Sequence, residues 1–209
     1  DFYGVTLKVD SRALIPRPET EYLLELLHTR YLNREPVRIL DLGTGSGAIA
    51  IALLNAFSGA SAVAVDTSKD ALQLAAENAN LAGVSDRLQL ISSDWFNDVE
   101  GEFELILANP PYLTEEEMGS ADPEVIRFEP RQALFGGKDG LKDLIHIIDK
   151  APSFLIDGGM LVLETGIDQH NDLIQCAKNS GFLSMESIKD LNRVDRFLVG
   201  WTFFLMPST

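Results

Sequence analysis

A side-chain amide and an aromatic ring follow a predicted buried strand near the middle of the chain. The apolar run 103–108 indicates that strand, and it leads directly into Asn109, Pro110, Pro111 and Tyr112. Neither proline has an N–H group with which to continue a β-ladder, so the chain must turn there into a stiff loop. Its amide and carbonyl oxygens suit the grip of a planar amide or a ring amine. The same tetrapeptide is equally typical of a simple strand-ending turn.

A glycine-rich loop lies upstream, between a predicted strand at 37–42 and a predicted helix at 47–57. Its residues are Gly43, Thr44, Gly45, Ser46 and Gly47. Glycine permits a tight turn and lets backbone N–H groups approach a ligand, and the following helix begins with unpaired N–H groups. Gly43, Gly45 and Ala48 also fit the dinucleotide pattern G-x-G-x-x-A. The loop therefore predicts a nucleotide site or a site for a related ligand.

Acidic residues end the next two predicted strands. Asp66 closes the run 61–66, about twenty residues after the glycine loop, where an acid suits a ribose diol. The run 88–92 leads into Asp94 and Trp95, which could bind the polar edge and the flat face of an adenine. Taken with the glycine loop, these side chains predict a nucleoside site.

Charge distinguishes a dinucleotide from S-adenosylmethionine (AdoMet), which carries a sulfonium cation and an amino-acid tail but no pyrophosphate. Asp41 ends the first strand, where its carboxylate would face the ammonium group of that tail or, alternatively, cap the glycine loop. With Asp94 and Asn109 it forms a rim of acceptors that has no Lys or Arg close in sequence. This rim favours a cationic ligand, and the absence of a G-x-x-x-x-G-K-S/T loop argues against a P-loop nucleotide hydrolase.

These motifs, in this order, resemble the protein-(glutamine-N5) methyltransferases of the HemK type, which modify peptide-chain release factors. The matching segments are Leu14-Ile-Pro-Arg-Pro-Glu-Thr-Glu21, Asp41-Leu-Gly-Thr-Gly-Ser-Gly47, Asp66, Ser93-Asp-Trp-Phe96, Asn109-Pro-Pro-Tyr112, Arg127-Phe-Glu-Pro130 and Gly136-Gly-Lys-Asp-Gly140. The resemblance covers nearly the whole chain, but the family's small N-terminal helical domain has no counterpart here, and the end of the chain, 203–209, does not align. It implies methyl transfer from AdoMet to a glutamine in the Gly-Gly-Gln loop of a release factor.

The resemblance assigns the acceptor grip to the Asn-Pro-Pro-Tyr segment. The Asn109 side-chain oxygen and the Pro110 carbonyl would each accept one N–H of the glutamine amide, Tyr112 would pack on the flat amide, and Pro111 would complete the binding loop. Orientation is the main requirement, because an amide nitrogen is a poor nucleophile but needs no prior deprotonation.

Several charged residues of the matching segments have no role implied by the resemblance. Glu19, Arg127 and Glu129 are placed near the site only as hypotheses. For Arg17 and Arg127, structural ion pairs with Glu19 or Glu129 are the preferred interpretation.

Helices and strands alternate along the chain, which predicts an α/β domain with an open, mostly parallel sheet. Beyond the elements already named, we expect helices at 19–32, 68–81, 139–156 and 168–180 and strands at 160–164, 183–188 and 197–205. Since no helix separates the last two strands, they should pair antiparallel. This is the seven-stranded, Rossmann-like fold of class I AdoMet-dependent methyltransferases. We interpret 1–209 as one catalytic domain with a lead-in and helix at 1–36 and a substrate lid at 113–138.

Composition limits the partners. The formal net charge is −15, and Glu115-Glu-Glu117 follows the acceptor loop directly, so a nucleic-acid backbone is disfavoured and a basic protein surface is expected. Cys176 is the single cysteine, and the scattered histidines His28, His146 and His170 show no metal-ligand spacing, so no metal site is predicted. No apolar run suits a membrane helix. We expect a cytoplasmic protein, or an organellar one if a targeting segment preceded this chain.

Other functions remain open at this stage. A DNA adenine-N6 methyltransferase uses a similar grip but needs a DNA-binding surface. A methyltransferase for a ribosomal protein or ribosomal RNA requires only a changed target. A nucleoside-binding module would keep the glycine loop without Asn109 to Tyr112, and a dehydrogenase would bind a nicotinamide cofactor that absorbs light.

Overall fold

The computed structural model describes residues 1–31, 36–120 and 129–202. Its α-helices are α1 Pro18–Arg30, α2 Ala48–Ala56, α3 Lys69–Ala82, α4 Glu115–Ser120, α5 Lys142–Lys150 and α6 His170–Asn179. Its strands are β1 Arg38–Leu42, β2 Ser61–Asp66, β3 Leu88–Ser92, β4 Phe103–Ala108, β5 Leu155–Glu164, β6 Ser184–Lys189 and β7 Asp195–Trp201. Short 3-10 turns occupy Arg131–Ala133 and Ala151–Ser153.

The strands form one seven-stranded sheet in the order β3-β2-β1-β4-β5-β7-β6. The first five strands of this order pair parallel, whereas β7 pairs antiparallel with both β5 and β6. The predicted α/β class, the mostly parallel sheet and the antiparallel final pair are confirmed. Because the order reverses between β1 and β4, a crevice opens at the carboxyl ends of these two strands.

Alternate residues of each strand enter two hydrophobic cores, one on each face of the sheet. Ile39 and Leu107 face α1, α2 and α3, whereas Leu40 and Ile106 face α5 and α6. A strand buried on both faces reads as a continuous apolar run, which is why β1, β2 and β4 were visible in the sequence. Both ends of α3 are capped, since the Ser68 side chain accepts from the N–H of Ala71 and Gly83 adopts a left-handed conformation.

The predicted helix 139–156 is wrong at both ends. It contains α5 and a 3-10 turn around Pro152, which cannot continue an α-helix because it lacks the N–H group. Strand β5 begins at Leu155, five residues earlier than expected. Gly158, at φ +76°, lies where the register with β4 shifts, so Gly158 and Gly159 form a bulge within the strand.

The segment 113–138 was expected to be loop-like, but it contains α4 and the 3-10 turn at Arg131–Ala133. A parallel bridge between Leu113 and Phe135 closes the described parts of the segment at its base. Residues 121–128 lie outside the described residues, as do 203–205 of the last predicted strand. Within the described ranges, every helix is too short or too polar to cross a lipid bilayer.

Candidate active site

A cavity of about 280 Å³ lies at the carboxyl ends of the parallel strands, above the reversal between β1 and β4. Most residues that the sequence singled out lie together in its lining. These are Gly43, Thr44, Gly45, Ser46, Asp66, Asp94, Trp95, Asn109 and Pro111. Asp41, Gly47, Pro110 and Tyr112 were predicted for the site but do not line the cavity.

The glycine loop needs its glycines for conformation and space. Gly43, Gly45 and Gly47 all have positive φ, at +68°, +55° and +81°. A Cβ atom on Gly47 would lie 3.0 Å from the Cβ of Ala75 and from Cδ1 of Ile51, so α2 and α3 meet there without room for a side chain. Gly47 thus supports the cavity through helix packing instead of lining it.

Asp66 fixes the glycine loop from the neighbouring strand. One carboxylate oxygen accepts from the N–H of Gly45 at 2.9 Å, and the other accepts from the N–H of Ser68 at 2.8 Å. The side chain is partly exposed and lines the cavity. Its carboxylate oxygens can accept further hydrogen bonds from a ligand in the cavity, which fits the predicted contact with a ribose diol.

The structure places Asp41 beneath the glycine loop, not on the acceptor rim where we expected it. Its side chain is buried and accepts from the Thr44 hydroxyl at 2.6 Å. Burial raises the pKa of this carboxyl to about 6, although the hydrogen bond from Thr44 opposes the shift. This geometry corresponds to the alternative role, a carboxylate that caps the loop, because the strand directs Asp41 into the domain.

Trp95 adopts a left-handed backbone conformation with φ +50°, which is uncommon for a bulky residue. The Ser93 hydroxyl stabilises this turn by donating to the Trp95 carbonyl at 3.0 Å. The indole ring lies against Gly43, with ring carbons 3.4 and 3.6 Å from where a Cβ would stand. The turn therefore directs a flat aromatic surface across the glycine loop, beside the exposed carboxylate of Asp94.

Asn109 follows β4, lines the cavity and is partly exposed. Among the described residues, no hydrogen bond uses its side chain or the carbonyl of the buried Pro110. Pro111 lines the cavity beside Asn109. The acceptor groups of this loop are thus fixed in place but not consumed by contacts within the domain.

Tyr112 does not offer its ring to the cavity, in contrast to the packing on an amide that we expected. Its hydroxyl donates to a carboxylate oxygen of Glu164 at 3.2 Å. Burial, followed by the charge of Glu164, raises the pKa of the Tyr112 phenol. The hydroxyl reaches into the domain, and the partly buried ring packs against the hydrophobic core on that face of the sheet.

The N-terminal lead-in forms a wall of the cavity that sequence reasoning missed. Its lining residues are Phe2, Arg12, Ala13, Leu14, Pro16 and Arg17. Asn78 of α3 holds this wall, because its side chain accepts from the N–H of Lys8 and donates to the carbonyls of Lys8 and Ser46. The lead-in is thereby tied directly to the glycine loop. The only signal in the sequence was the motif at 14–21.

Two arginines in the lining change the expected charge of the rim. Arg12 contacts Asp10 and Glu77, and Arg17 donates to both carboxylate oxygens of Glu129 at 2.8 Å. The predicted structural ion pair of Arg17 with Glu129 is confirmed, whereas Arg127 lies outside the described residues. Since each arginine is paired with carboxylates, its positive charge is compensated and does not exclude a cationic ligand.

Other residues missed by the sequence reasoning come from elements that were expected to lie elsewhere. Thr20 of α1, Gln132 and Ala133 of the 3-10 turn, and Asp143 of α5 also belong to the lining. None belongs to a pattern that carries chemistry by itself. Within the described residues, no group of three or more His, Cys, Asp or Glu side chains is placed to hold a metal ion.

The family model of the methyltransferase small domain matches residues 18–129. The release factor glutamine methyltransferase of Agrobacterium fabrum is 39% identical over 202 residues, which are 95% of this chain and 70% of that protein. The protein of the same name from Escherichia coli K12 is 38% identical over 96% of this chain and 72% of its own length. The chain belongs to the release factor glutamine methyltransferase family.

The resemblance drawn from the sequence motifs is confirmed, and the matched residues of the small-domain model include the glycine loop, Asp66 and Asn109. Solved structures support the fold. The Pyrococcus furiosus methyltransferase superposes with a TM-score of 0.72 over 96% of this chain and 90% of that chain, at 19% identity. This chain therefore has the seven-stranded fold of class I methyltransferases.

Proposed function

We propose that this protein transfers a methyl group from AdoMet to the side-chain amide nitrogen of a glutamine in the Gly-Gly-Gln loop of a peptide-chain release factor. The observation that carries this proposal is that Asn109 and Pro111 line the same cavity as the glycine loop, because they follow the adjacent strands β4 and β1. A planar amide donor bound there would face the ligand held by the loop.

The cavity residues fit AdoMet by their chemistry. Asp66 supplies an acceptor for the ribose hydroxyls, and Trp95 with Asp94 supplies a flat surface and a polar group for the adenine. Asp41, held beneath the loop, acts on the ligand only through the position of Thr44. Arg12 and Arg17 do not oppose a cation, because their carboxylate partners compensate their charge.

The acceptor residues orient the glutamine. When the Asn109 side-chain oxygen and the Pro110 carbonyl each accept one N–H of the amide, the nitrogen lone pair points across the cavity. AdoMet supplies the methyl carbon, whose bond to sulfur breaks as its bond to the glutamine nitrogen forms. The nitrogen then loses one proton to water, so the chain needs no His or Lys as a base. Positioning of this kind contributes several kcal/mol in general.

Segment 113–138 has the place of a lid, since it leaves β4 through Asn109 to Tyr112 and returns to the cavity at Gln132 and Ala133. The first helix of this segment, α4, presents exposed Glu115, Glu116 and Glu117. These charges favour a basic protein surface and repel a phosphate backbone. Association with the release factor should therefore weaken as the salt concentration rises. The expected cytoplasmic location belongs to the same proposal.

The test is incubation with labelled AdoMet and three acceptors: a release factor, the same factor with the Gly-Gly-Gln glutamine replaced by alanine, and an adenine-containing DNA duplex. We expect label only on the intact factor, with mass spectrometry placing it on the glutamine side chain. Label on the duplex alone would overturn the proposal and support the adenine-N6 alternative. Label on both protein acceptors would place the modification at another residue.

A further inference from the structure

The end of β5 and the turn that follows it contact the acceptor loop from inside the domain, through residues that the reaction itself does not use. We infer that Glu164 is a positioning residue for methyl transfer, which holds Tyr112 and thereby sets the orientation of Asn109 and Pro110. This inference rests on the proposed function, since it concerns how the glutamine amide is aimed.

Glu164 is a buried carboxylate with two hydroxyl donors. It receives the Tyr112 hydroxyl on one oxygen at 3.2 Å and the Thr20 hydroxyl on the other at 2.7 Å. Its exposed fraction is 2%, and burial raises its pKa. Burial of a carboxyl group destabilises the folded state unless hydrogen bonds compensate for the lost contact with water. These bonds join the acceptor loop to Thr20, which lines the cavity from α1.

Gln169 secures the backbone of the same tyrosine. Its amide nitrogen donates to the carbonyl of Tyr112 at 3.2 Å and to the carbonyl of Asp139 at 3.3 Å. Its amide oxygen accepts from the N–H of Gly166 at 2.8 Å. The side chain and the main chain of Tyr112 are therefore both held by the β5–α6 turn.

The glycines of segment 136–140 bring the chain close enough for these bonds. A Cβ atom on Gly136 would stand 2.4 Å from the Pro111 carbonyl oxygen, and one on Gly140 would stand 2.1 Å from that of Tyr112. Gly136 also donates its N–H to the carbonyl of Leu113 at 2.9 Å. The acceptor loop is thus enclosed on the side opposite the cavity.

The two prolines transmit the position of Tyr112 to Asn109. Each proline ring fixes its own φ angle, so little torsional freedom separates the tyrosine from the asparagine. A shift of the Tyr112 backbone is therefore passed on to the Pro110 carbonyl and to Asn109. Because a displacement of about 1 Å can cost about a hundredfold in rate, a hydrogen bond remote from the substrate can control transfer.

The experiment compares Glu164→Gln, Tyr112→Phe and the double variant in methylation of the release factor at saturating AdoMet. Glutamine keeps the shape of Glu164 but offers one acceptor oxygen instead of two. We expect kcat to fall about ten- to a hundredfold in each single variant. The dissociation constant for AdoMet should stay within about twofold of wild type, because neither residue lines the cavity. The double variant should be no slower than the slower single variant, since both changes act on the same contact, the hydrogen bond between Tyr112 and residue 164.

A readout without AdoMet separates positioning from general damage. In protein with carbon-labelled tyrosine, the Tyr112 NMR signal should shift in Glu164→Gln, while the signals of the other tyrosines stay in place. Glu186→Gln is the matched control, because Glu186 is exposed on β6 and pairs only with Arg30 among the described residues. Its kcat and its tyrosine spectrum should equal those of wild type.

Wild-type kcat in the single variants, losses that multiply in the double variant, or a loss confined to AdoMet affinity would each overturn the inference. If Glu164→Gln does not fold, Tyr112→Phe decides alone, since it removes only one hydroxyl. Failure of the wild-type protein to methylate the factor would instead refute the proposed function.

Discussion

The two sides of the cavity are held together differently. On the cofactor side, the glycine loop is fixed by bonds that stay close in sequence, from Thr44 to Asp41, three residues apart, and from Gly45 to Asp66, 21 residues apart. On the acceptor side, Tyr112 is held by Glu164 and Gln169, which follow it by 52 and 57 residues. The cofactor side is nearly complete within one strand-loop-helix-strand unit. The acceptor side, by contrast, forms only after the sheet has assembled.

This difference predicts separable failures. Changes on the cofactor side should alter the affinity for AdoMet, and changes on the acceptor side should alter the rate of transfer at saturating AdoMet. Substitutions at three positions test the two sides, ordered by the size of the expected effect on the reaction.

Asn109→Ala should cause the largest loss, about a hundredfold or more in kcat, because the glutamine amide loses an acceptor that aims its nitrogen. The folded state should persist, since no hydrogen bond within the described residues uses this side chain. Asn109→Asp should also be slow, because a carboxylate adds a charge that stabilises the sulfonium ground state. Rates of label transfer and circular dichroism check both variants.

Asn171→Ala, an exposed change on α6, is the matched control and should transfer at the wild-type rate. If the Asn109→Ala protein is folded and transfers the methyl group as fast as wild type, the acceptor side does not set the rate of transfer.

Asp66→Ala should weaken AdoMet binding by about ten- to a hundredfold, the usual cost of a lost hydrogen bond to a charged group. The variant loses the predicted ribose acceptor and releases the N–H groups of Gly45 and Ser68. Calorimetric titration measures the dissociation constant. Asp70→Ala removes an exposed acid from the same stretch and should bind as wild type does. An unchanged affinity in Asp66→Ala would remove Asp66 from the site.

Asp41→Asn should have the smallest effect, visible as a change in the pH dependence of stability. Burial raises the pKa of Asp41 in the folded state to about 6 from 3.8, so the folded state increasingly disfavours the charged form as the pH rises through this window. The stability contribution of Asp41 is therefore present below pH 4 and lost above pH 6. Asparagine cannot ionise, so the variant should gain about 1–3 kcal/mol relative to wild type between pH 4 and pH 7.

Urea unfolding at several pH values measures this difference. Asp10→Asn provides a control of opposite sign, because the hydrogen bonds from Arg12 lower the pKa of Asp10 to about 2. Its contribution is present above pH 4 and lost as the pH falls toward 2. A constant difference between Asp41→Asn and wild type across pH 4–7 would show that Asp41 does not titrate in this window.

The same contrast explains what the sequence could predict. β1, the glycine loop and β2 are recognisable because their apolar runs and glycines obey local rules. Asn109 was found because its motif is contiguous. Glu164 and Gln169 carry no local signal, since their partner is brought to them by the pairing of β4 with β5. Tyr112 was identified from the same motif, but its contacts with Glu164 and Gln169 were not predicted for the same reason.

The predicted boundaries of helices and strands were wrong where local sequence preferences conflicted with the pairing of strands. The Gly158-Gly159 pair reads as a break, yet β5 continues through it because β4 offers a partner strand. The lead-in at 1–17 showed no periodicity, and its role as a cavity wall depends on the contact between Asn78 and Lys8, 70 residues apart.

The close packing of Gly136 and Gly140 against the acceptor loop bears on protein engineering. Carbonyl oxygens of Pro111 and Tyr112 occupy the space that side chains would need at these glycines. A designer who grafts the tetrapeptide onto another scaffold must therefore transplant its backing as well, namely the two glycines and the turn that carries Glu164. Recombination between relatives should succeed at crossovers outside this unit and fail within it, which makes the acceptor loop a module of three separated segments and not a portable motif.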